Sequence, residues 1–299
     1  MSSIKEHLLI KSASYTSVIV ACIIVSLKMY GWLITDSQAL LASLTDAMLD
    51  ISSSLVNLIA IHFALQPPDD NHRFGHEKFQ DLTIFSQSIF FFASSLFTMS
   101  SSIKSLFSHT PLENVDSTSD LMYLCCFLTF VLVCYQTYVI KKTNSRLIEV
   151  DKLHYFTDLL TNFAVIISMK LSGVIWFLDS LFGIAISLYI GYFSFALFKQ
   201  SIKNLADEEF EDAEKKKILH TIGKYKEIKG VHELKTRYAG SKPFIQCHLE
   251  MDGNMSLYDA HIISDKISNE LLSIFKGGEV TIHQDPAGKE EHVNYREEL

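Results

Sequence analysis

Two apolar stretches of the chain each carry a pair of metal-ligating side chains four residues apart. Asp46 and Asp50 lie in SLTDAMLDISSSLVNLIAI, and His154 and Asp158 lie in DKLHYFTDLLTNFAVIIS. Side chains at positions i and i+4 stack on one face of a helix. Three carboxylates and one imidazole offer four ligands to a divalent cation. The sequence therefore predicts a metal site built by two helices.

The cost of burying these acids in a membrane favours a bound cation. Both stretches are apolar and long enough to cross a bilayer. A charged residue at mid-bilayer costs about 2.5–3.5 kcal/mol, so three unpaired carboxylates would cost roughly 8–10 kcal/mol, as much as a whole domain's stability. The alternative is protonation or pairing with Lys28. A single lysine near the outer end of its own segment does not balance three acids.

Six apolar stretches of spanning length predict a six-helix membrane domain at residues 1–204. Lysine and arginine concentrate in the loops after the second and fourth stretches and around the two ends of the domain, while the other three loops carry almost none. By the positive-inside rule both termini are expected in the cytoplasm. The predicted segments are Leu8–Leu33, Ala39–Leu65, Leu82–Phe107, Leu121–Ile140, Leu147–Leu171 and Trp176–Phe198.

The loop at residues 66–80, in QPPDDNHRFGHEKF, carries a second candidate metal site. Asp69, His72 and His76 fall within eight residues, a spacing at which oxygen and imidazole ligands can hold a metal. A solvated, charge-rich cytoplasmic turn is the competing interpretation. His76 and Glu77 resemble the start of the HExxH zinc-protease motif, but the fifth position is Gln80, so that motif is incomplete.

The remaining residues, 205–299, predict a small α+β domain with its helices on one face of a sheet. A charged helical stretch, with Phe210 in its apolar stripe, precedes the strand-like segments VHELKTRYA and FIQCHLEM. The helical stretch SLYDAHIISDKISNELLSIF and a last strand, EVTIHQDP, follow them. The chain is thus expected to join a membrane domain to a soluble one.

Strand parity predicts which side chains of this domain face the core. Alternate residues of a strand point to opposite faces, so Cys247 belongs with the core residues and His248 with the other face. Four histidines and one aspartate are expected to converge on that exposed sheet face as a third metal site. They are His232, His248, His261, His283 and Asp285.

Composition excludes several other classes of protein. The formal net charge of −8, without a basic stripe to meet phosphates, argues against a nucleic-acid binder. The five cysteines form no CxxC motif and lie mostly in apolar segments, so neither a disulfide framework nor a zinc ribbon is expected. The N-terminus lacks a cleavage site after a short apolar core and is expected to open the first spanning helix.

In these motifs the chain resembles the cation diffusion facilitator family. The resemblance is closest to the bacterial members that export zinc and iron, the ferrous-iron efflux type. The resemblance covers nearly the whole chain and rests on SLTDAMLD, QPPDDNHRFGHEK, HYFTDLLTN, VHELKTR, FIQCHLEMDG, DAH and VTIHQDP. It implies a homodimer in the bacterial inner membrane, with a ferredoxin-like cytoplasmic domain in each protomer. The twelve residues named above would then form its transport site, its loop site and its binuclear cytoplasmic site.

The function implied by the resemblance is export of a divalent cation in exchange for protons by alternating access. A site with one imidazole and three carboxylates suits Zn²⁺, tolerates Cd²⁺ or Fe²⁺, and disfavours Mg²⁺ and Ca²⁺. Zn²⁺ would be both cargo and a structural or regulatory ion. Two alternatives remain at this point, an intramembrane metal-dependent enzyme and a metal sensor that does not transport.

Overall fold

The computed structural model describes residues 2–35, 38–108, 119–171 and 177–288. The loops expected outside the membrane fall largely at 36–37, 109–118 and 172–176, so they lie outside the described residues, as does the end of the chain from residue 289. The chain divides into two compact units, Met1–Ile202 and Lys203–Leu299.

Six long helices make up the first unit. Each apolar stretch predicted from the sequence lies within one helix or overlaps it, and the helices extend beyond the stretches because polar residues continue the same hydrogen-bonding pattern. Within the described residues, five of the six are long and apolar enough to cross a membrane. The helices are α1 Ser2–Thr35, α2 Gln38–Ala64, α3 Lys78–Ser108, α4 Ser119–Thr143, α5 Arg146–Leu171 and α6 Leu178–Leu205.

The helix that falls outside those five is α5, which also carries half of the first predicted metal site. Its first half holds Asp151, Lys152 and Asp158, and these charges lower its hydropathy. Charged side chains are tolerated at membrane depth where they face the interior of a helix bundle. That α5 crosses the membrane stays a prediction.

A buried polar network fixes α5 against α1 and α4. The Ser17 hydroxyl donates to Asp151 Oδ2 at 2.6 Å, and Gln136 Nε2 donates to the same oxygen at 2.8 Å. All three side chains are buried, and Asp151 lies three residues before His154. Because buried polar groups are costly unless hydrogen-bonded, the network restricts how α5 can rotate and thus where His154 points.

Small side chains bring α3 and α6 together. A Cβ atom on Gly183 would collide with the Ser102 side chain, and one on Gly191 would lie 3.2 Å from Ser95 Oγ. Helices that pack in a membrane approach closely through such residues. This packing places α3 and α6 beside α2 and α5 around a common cavity.

The second unit is a three-stranded sheet with two helices on one face. Its elements are α7 Asp212–Ile222, β1 Gly230–Ala239, β2 Lys242–Met251, α8 Leu257–Ile274 and β3 Glu279–Pro286. Strand β2 is central, antiparallel to β1 and parallel to β3. The Ser256 hydroxyl accepts a bond from the Asp259 N–H and caps α8, as its Ser-x-x-Asp sequence favours.

The core of this unit lies between the sheet and its helices. It joins Ile218 and Ile222 of α7 to Ile267 of α8 and to Cys247 and Leu249 of β2. Helix α7 is shorter than its charged, amphipathic stretch indicated. Phe210 precedes the helix, where its N–H donates to Thr236 Oγ1 at 2.9 Å, yet its ring still joins the core. A helical spacing of apolar residues therefore predicted burial better than it predicted helix length.

Candidate metal centres

The middle of the helical unit brings together side chains from α2 and α5. His154 Nε2 lies 2.9 Å from Asp50 Oδ1 and 3.7 Å from Asp158 Oδ2. Asp50 and Asp158 each lie twelve residues after the first residue of a helix of 27 or 26 residues, close to its midpoint. One ligand atom from each of the three residues lies within 4.8 Å of the others.

These three residues face a cavity of about 340 Å³. Asp46 and Lys28 also line the cavity, although Asp46 is not part of the close group of three. The ring of Phe91 stacks on the imidazole of His154 with centroids 5.5 Å apart and an interplanar angle of 18°. The aromatic ring thus limits the orientations that the imidazole can adopt within the cavity.

The donor set of this cavity fits a divalent cation. His154 Nε2 is buried and, within the described residues, has no well-directed hydrogen bond despite its short distance to Asp50. The carboxylates of Asp50 and Asp158 converge on that nitrogen, and a third carboxylate lines the same space. Such mixed nitrogen and oxygen sets suit Zn²⁺ and its neighbours among the transition metals.

The loop between α2 and α3 gathers Asp69, His72 and His76. Asp69 Oδ1 lies 3.2 Å from His72 Nδ1, and Asp69 Oδ2 lies 3.3 Å from His76 Nε2. Gly75 has a φ of 94°, a left-handed conformation that glycine adopts readily, and a side chain there would run into Glu77. The backbone N–H groups of His72 and Asn71 donate to the Asp69 carboxylate. The bond from His72 contributes most to holding the pKa of Asp69 below its ordinary value. The loop is therefore folded around an ionised carboxylate.

On the sheet, three histidines form a row across all three strands. His248 in β2 is paired with His232 in β1 and with His283 in β3. The ring centroids are 5.1 Å apart for His232 and His248, and 4.6 Å apart for His248 and His283. Cross-strand partners point to the same face, so the row follows directly from the register.

Asp285 contacts all three imidazoles of this row. Its Oδ2 lies 3.2 Å from His232 Nε2 and 2.9 Å from His248 Nδ1. Its Oδ1 lies 3.2 Å from His283 Nε2. Together with these imidazoles, the carboxylate would offer a mixed nitrogen and oxygen donor set that suits Zn²⁺.

His261 does not join this group. It lies on α8, which packs on the opposite, apolar face of the sheet, so the sheet separates it from the histidine row. Its Nε2 instead lies 3.4 Å from Asp265 Oδ2, and both side chains are exposed. The structure thus brings together four of the five residues that the sequence predicted for this centre.

Sequence reasoning missed two carboxylates beside the histidine row. Glu250 Oε1 lies 3.8 Å from His232 Nδ1, and Glu233 Oε2 lies 4.0 Å from His248 Nε2. Glu250 lies two residues after His248, so strand parity puts it on the same face, and the structure buries it fully although that face is expected to be exposed. The alternation of His248, Leu249 and Glu250 along β2 is the sequence pattern that indicates a carboxylate beside the histidines.

Comparison with known proteins gives matches over nearly the whole chain. A model of the cation efflux transmembrane domain matches residues 14–206, and one of the cytoplasmic domain of cation efflux proteins matches residues 210–287. Protein p34 of Rickettsia rickettsii is 61% identical over 297 residues, which cover 99% of each chain. The cation-efflux pump FieF of Salmonella choleraesuis is 36% identical over 279 residues, which cover 93% of each chain.

Among solved structures, the metal-bound C-terminal domain of the CzcD transporter from Thermotoga maritima is 30% identical. That comparison has a TM-score of 0.26 and covers 27% of this chain and all of the other. The two family models and the FieF relative confirm the resemblance drawn from the motifs. The chain is therefore a multi-pass membrane protein of the cation diffusion facilitator, or cation efflux, family, whose members are transporters and not enzymes.

Proposed function

We propose that this protein exports a divalent metal cation, with Zn²⁺ as the main substrate and Cd²⁺ or Fe²⁺ as further ones, in exchange for protons. The observation that carries the proposal is the convergence of Asp50, His154 and Asp158 on one cavity near the midpoints of α2 and α5. Asp46, which lines the same cavity, supplies the fourth ligand when the cation is bound. The names of FieF and of other cation-efflux relatives support the direction of transport.

Competition for one set of ligands accounts for the exchange. Carboxylate and imidazole ligands must be deprotonated to bind a metal, so loading the cation releases protons. Protons arriving from the other side of the membrane displace the cation there. If the cavity opens alternately to each side, antiport follows from this single site without a separate proton pathway.

Lys28 in the wall of the cavity affects the charge of the loaded site. Three carboxylates carry three negative charges, which one divalent cation and one ammonium group balance. A neutral loaded site avoids much of the cost of holding charge at membrane depth. Lys28 thus balances the one carboxylate charge that a divalent cation leaves over, although its ammonium group repels the incoming cation.

The orientation and assembly follow from the loops and from the cytoplasmic domain. We place both termini in the cytoplasm and the protein in the bacterial inner membrane, with residues 1–204 as the membrane domain and 205–299 as the cytoplasmic domain. The match to the cytoplasmic domain of cation efflux proteins supports a homodimer. A dimer also offers a second copy of His261, which lies away from the histidine row in its own protomer.

The loop and sheet centres have supporting roles in this proposal. Asp69, His72 and His76 bind metal at the cytoplasmic end of α3, and the sheet centre binds it structurally or as a sensor. Metal at the sheet centre stabilises the cytoplasmic domain when the cytoplasmic metal concentration rises.

Transport by purified protein in vesicles tests the proposal. Metal-dependent proton flux is expected with the wild-type chain, and Asp50→Ala or Asp158→Ala is expected to abolish it while the protein remains folded. The matched control is Asp212→Ala, an exposed carboxylate at the start of α7 that belongs to none of the three centres. Near-normal zinc flux in either cavity variant would remove the transport assignment, and metal binding without any flux would favour the sensor.

A further inference from the structure

The imidazole of His232 lies between two carboxylates. Its Nε2 faces Asp285 Oδ2 at 3.2 Å, and its Nδ1 faces Glu250 Oε1 at 3.8 Å. His232 is 1% exposed and Glu250 is 0% exposed. Nδ1 of His232 is buried and has no hydrogen-bond partner within the described residues. One nitrogen of the ring therefore faces the metal centre, and the other faces a buried glutamate.

The sheet register explains how Glu250 reaches His232. His232 is paired with His248, and Glu250 lies two residues further along the same face of β2. Diagonal neighbours across two strands are within reach of long side chains. The residue paired with Glu250 in β1 is Gly230, which has no side chain to block that path. The position thus favours a contact between Glu250 and His232.

An imidazole that binds a metal through one nitrogen usually donates its other N–H to a carboxylate or carbonyl. We propose that Glu250 is the positioning residue of His232, accepting the Nδ1–H and thereby keeping Nε2 directed at Asp285 and at the bound cation. The two groups must close by roughly 0.6–1.1 Å to reach hydrogen-bonding distance, which a small rotation of either side chain supplies. This inference rests on the proposed metal-binding role of the sheet centre.

Glu233 provides a matched control on the other side of the row. Its Oε2 lies 4.0 Å from His248 Nε2, a distance similar to that between Glu250 and His232. Glu233, however, is 37% exposed, and its carboxylate pairs with Lys235 Nζ at 2.7 Å. It lies within an irregularity of β1, between His232 and Lys235, and has a φ of 47°. An exposed carboxylate already held by a lysine is not expected to orient a ligand.

The test measures zinc affinity of the full-length chain in detergent with the other two centres removed. The parent variant carries Asp50→Asn, Asp158→Asn, Asp69→Asn and His76→Gln, so that only the sheet centre remains. Zinc dissociation constants come from competition with a chromophoric chelator. The d–d absorption of bound Co²⁺ reports the type and number of ligands independently of transport.

We expect Glu250→Leu to raise the zinc dissociation constant 10–100-fold, as is typical when a residue that orients a metal ligand is lost. Glu250→Gln, which keeps an amide oxygen as acceptor, is expected to lose less affinity and to keep the Co²⁺ spectrum of the parent. Glu233→Gln should leave the dissociation constant close to that of the parent.

Four results would overturn the inference. Unchanged affinity in Glu250→Leu would show that Glu250 does not support His232. Equal losses in Glu250→Gln and Glu250→Leu, with an altered Co²⁺ spectrum, would make Glu250 a ligand itself. Equal losses in the Glu233 and Glu250 variants would point to general loss of negative charge. If His248→Ala in the parent leaves zinc binding unchanged, the sheet centre itself fails, and the inference fails with it, whereas the transport assignment is judged by vesicle flux.

Discussion

Substitutions at two neighbouring residues of β2 should have opposite effects on stability and on the stabilisation by zinc. Cys247 is 0% exposed in the apolar core, and burial raises the pKa of its thiol to about 12. The thiol therefore stays protonated at neutral pH, and it lies in the core on the face of β2 opposite the histidine row. His248 points to the opposite face, where its Nδ1 lies 2.9 Å from Asp285 Oδ2. The proposed experiment compares Cys247→Ala with His248→Ala in the fragment Lys203–Leu299, which has its own core.

Both effects are large enough to be resolved by thermal melting. Zinc at a hundredfold excess over its dissociation constant stabilises the folded state by about 2.7 kcal/mol. One kcal/mol moves the melting temperature of a domain of this size by roughly 4–8 °C, so the expected zinc shift is roughly 11–22 °C. Cys247→Ala removes one buried group about the size of a methylene and leaves a small cavity, a loss of about 1 kcal/mol or more.

Thermal melting with and without zinc measures both the stabilisation by zinc and the stability lost through packing. Cys247→Ala should melt about 4–8 °C lower without zinc and keep the full zinc shift. His248→Ala should still fold, because its side chain lies off the core face, and should lose most of the shift. A full zinc shift in His248→Ala, or a lost shift in Cys247→Ala, would refute the assignment of faces and require a different set of ligands.

Three further predictions concern selectivity, charge and pH. His154→Asp replaces the nitrogen ligand by oxygen and should raise the ratio of manganese to zinc transport in vesicles; an unchanged ratio would place selectivity elsewhere. Lys28→Met removes a positive charge from the cavity and should lower the KM for zinc, while Lys28→Arg should keep it; equal KM values in all three proteins would exclude a role for this charge. The folded-state pKa of Cys247, about 12, exceeds the free-thiol value of 9.0, so between these values the folded fragment keeps a thiol proton that the unfolded chain loses. The stability of the fragment should therefore fall as pH rises from about 9 to 12. Cys247→Ala should remove that part of the slope in denaturant titrations; an identical slope would contradict it.

The sequence alone determined the arrangement of the cavity residues along their helices. The i, i+4 spacing of Asp46 and Asp50, and of His154 and Asp158, is a local property that helix geometry converts into one face. Apolar length predicted the six helices, and period-two alternation assigned Cys247 to the core of the sheet domain. These inferences worked because each depends on residues close together in the chain.

Tertiary structure decided everything that depends on which elements meet. Only the packing of α2 against α5 shows that Asp50 approaches His154 more closely than Asp46 does, and only the cavity wall brings Lys28 to the same space. The network of Ser17, Gln136 and Asp151 joins residues more than a hundred positions apart, which no local pattern encodes.

The sheet centre shows the same division most clearly. Parity placed His248, His283 and Asp285 on the correct face, but the register between strands set His232, His248 and His283 in one row. His261 was grouped with them because the sequence does not say on which face of the sheet α8 packs. Glu250 was overlooked because strand parity assigns a face but does not show how deeply a side chain on that face is buried. Local periodicity is written in the chain, whereas the meeting of distant surfaces is decided only when the elements pack.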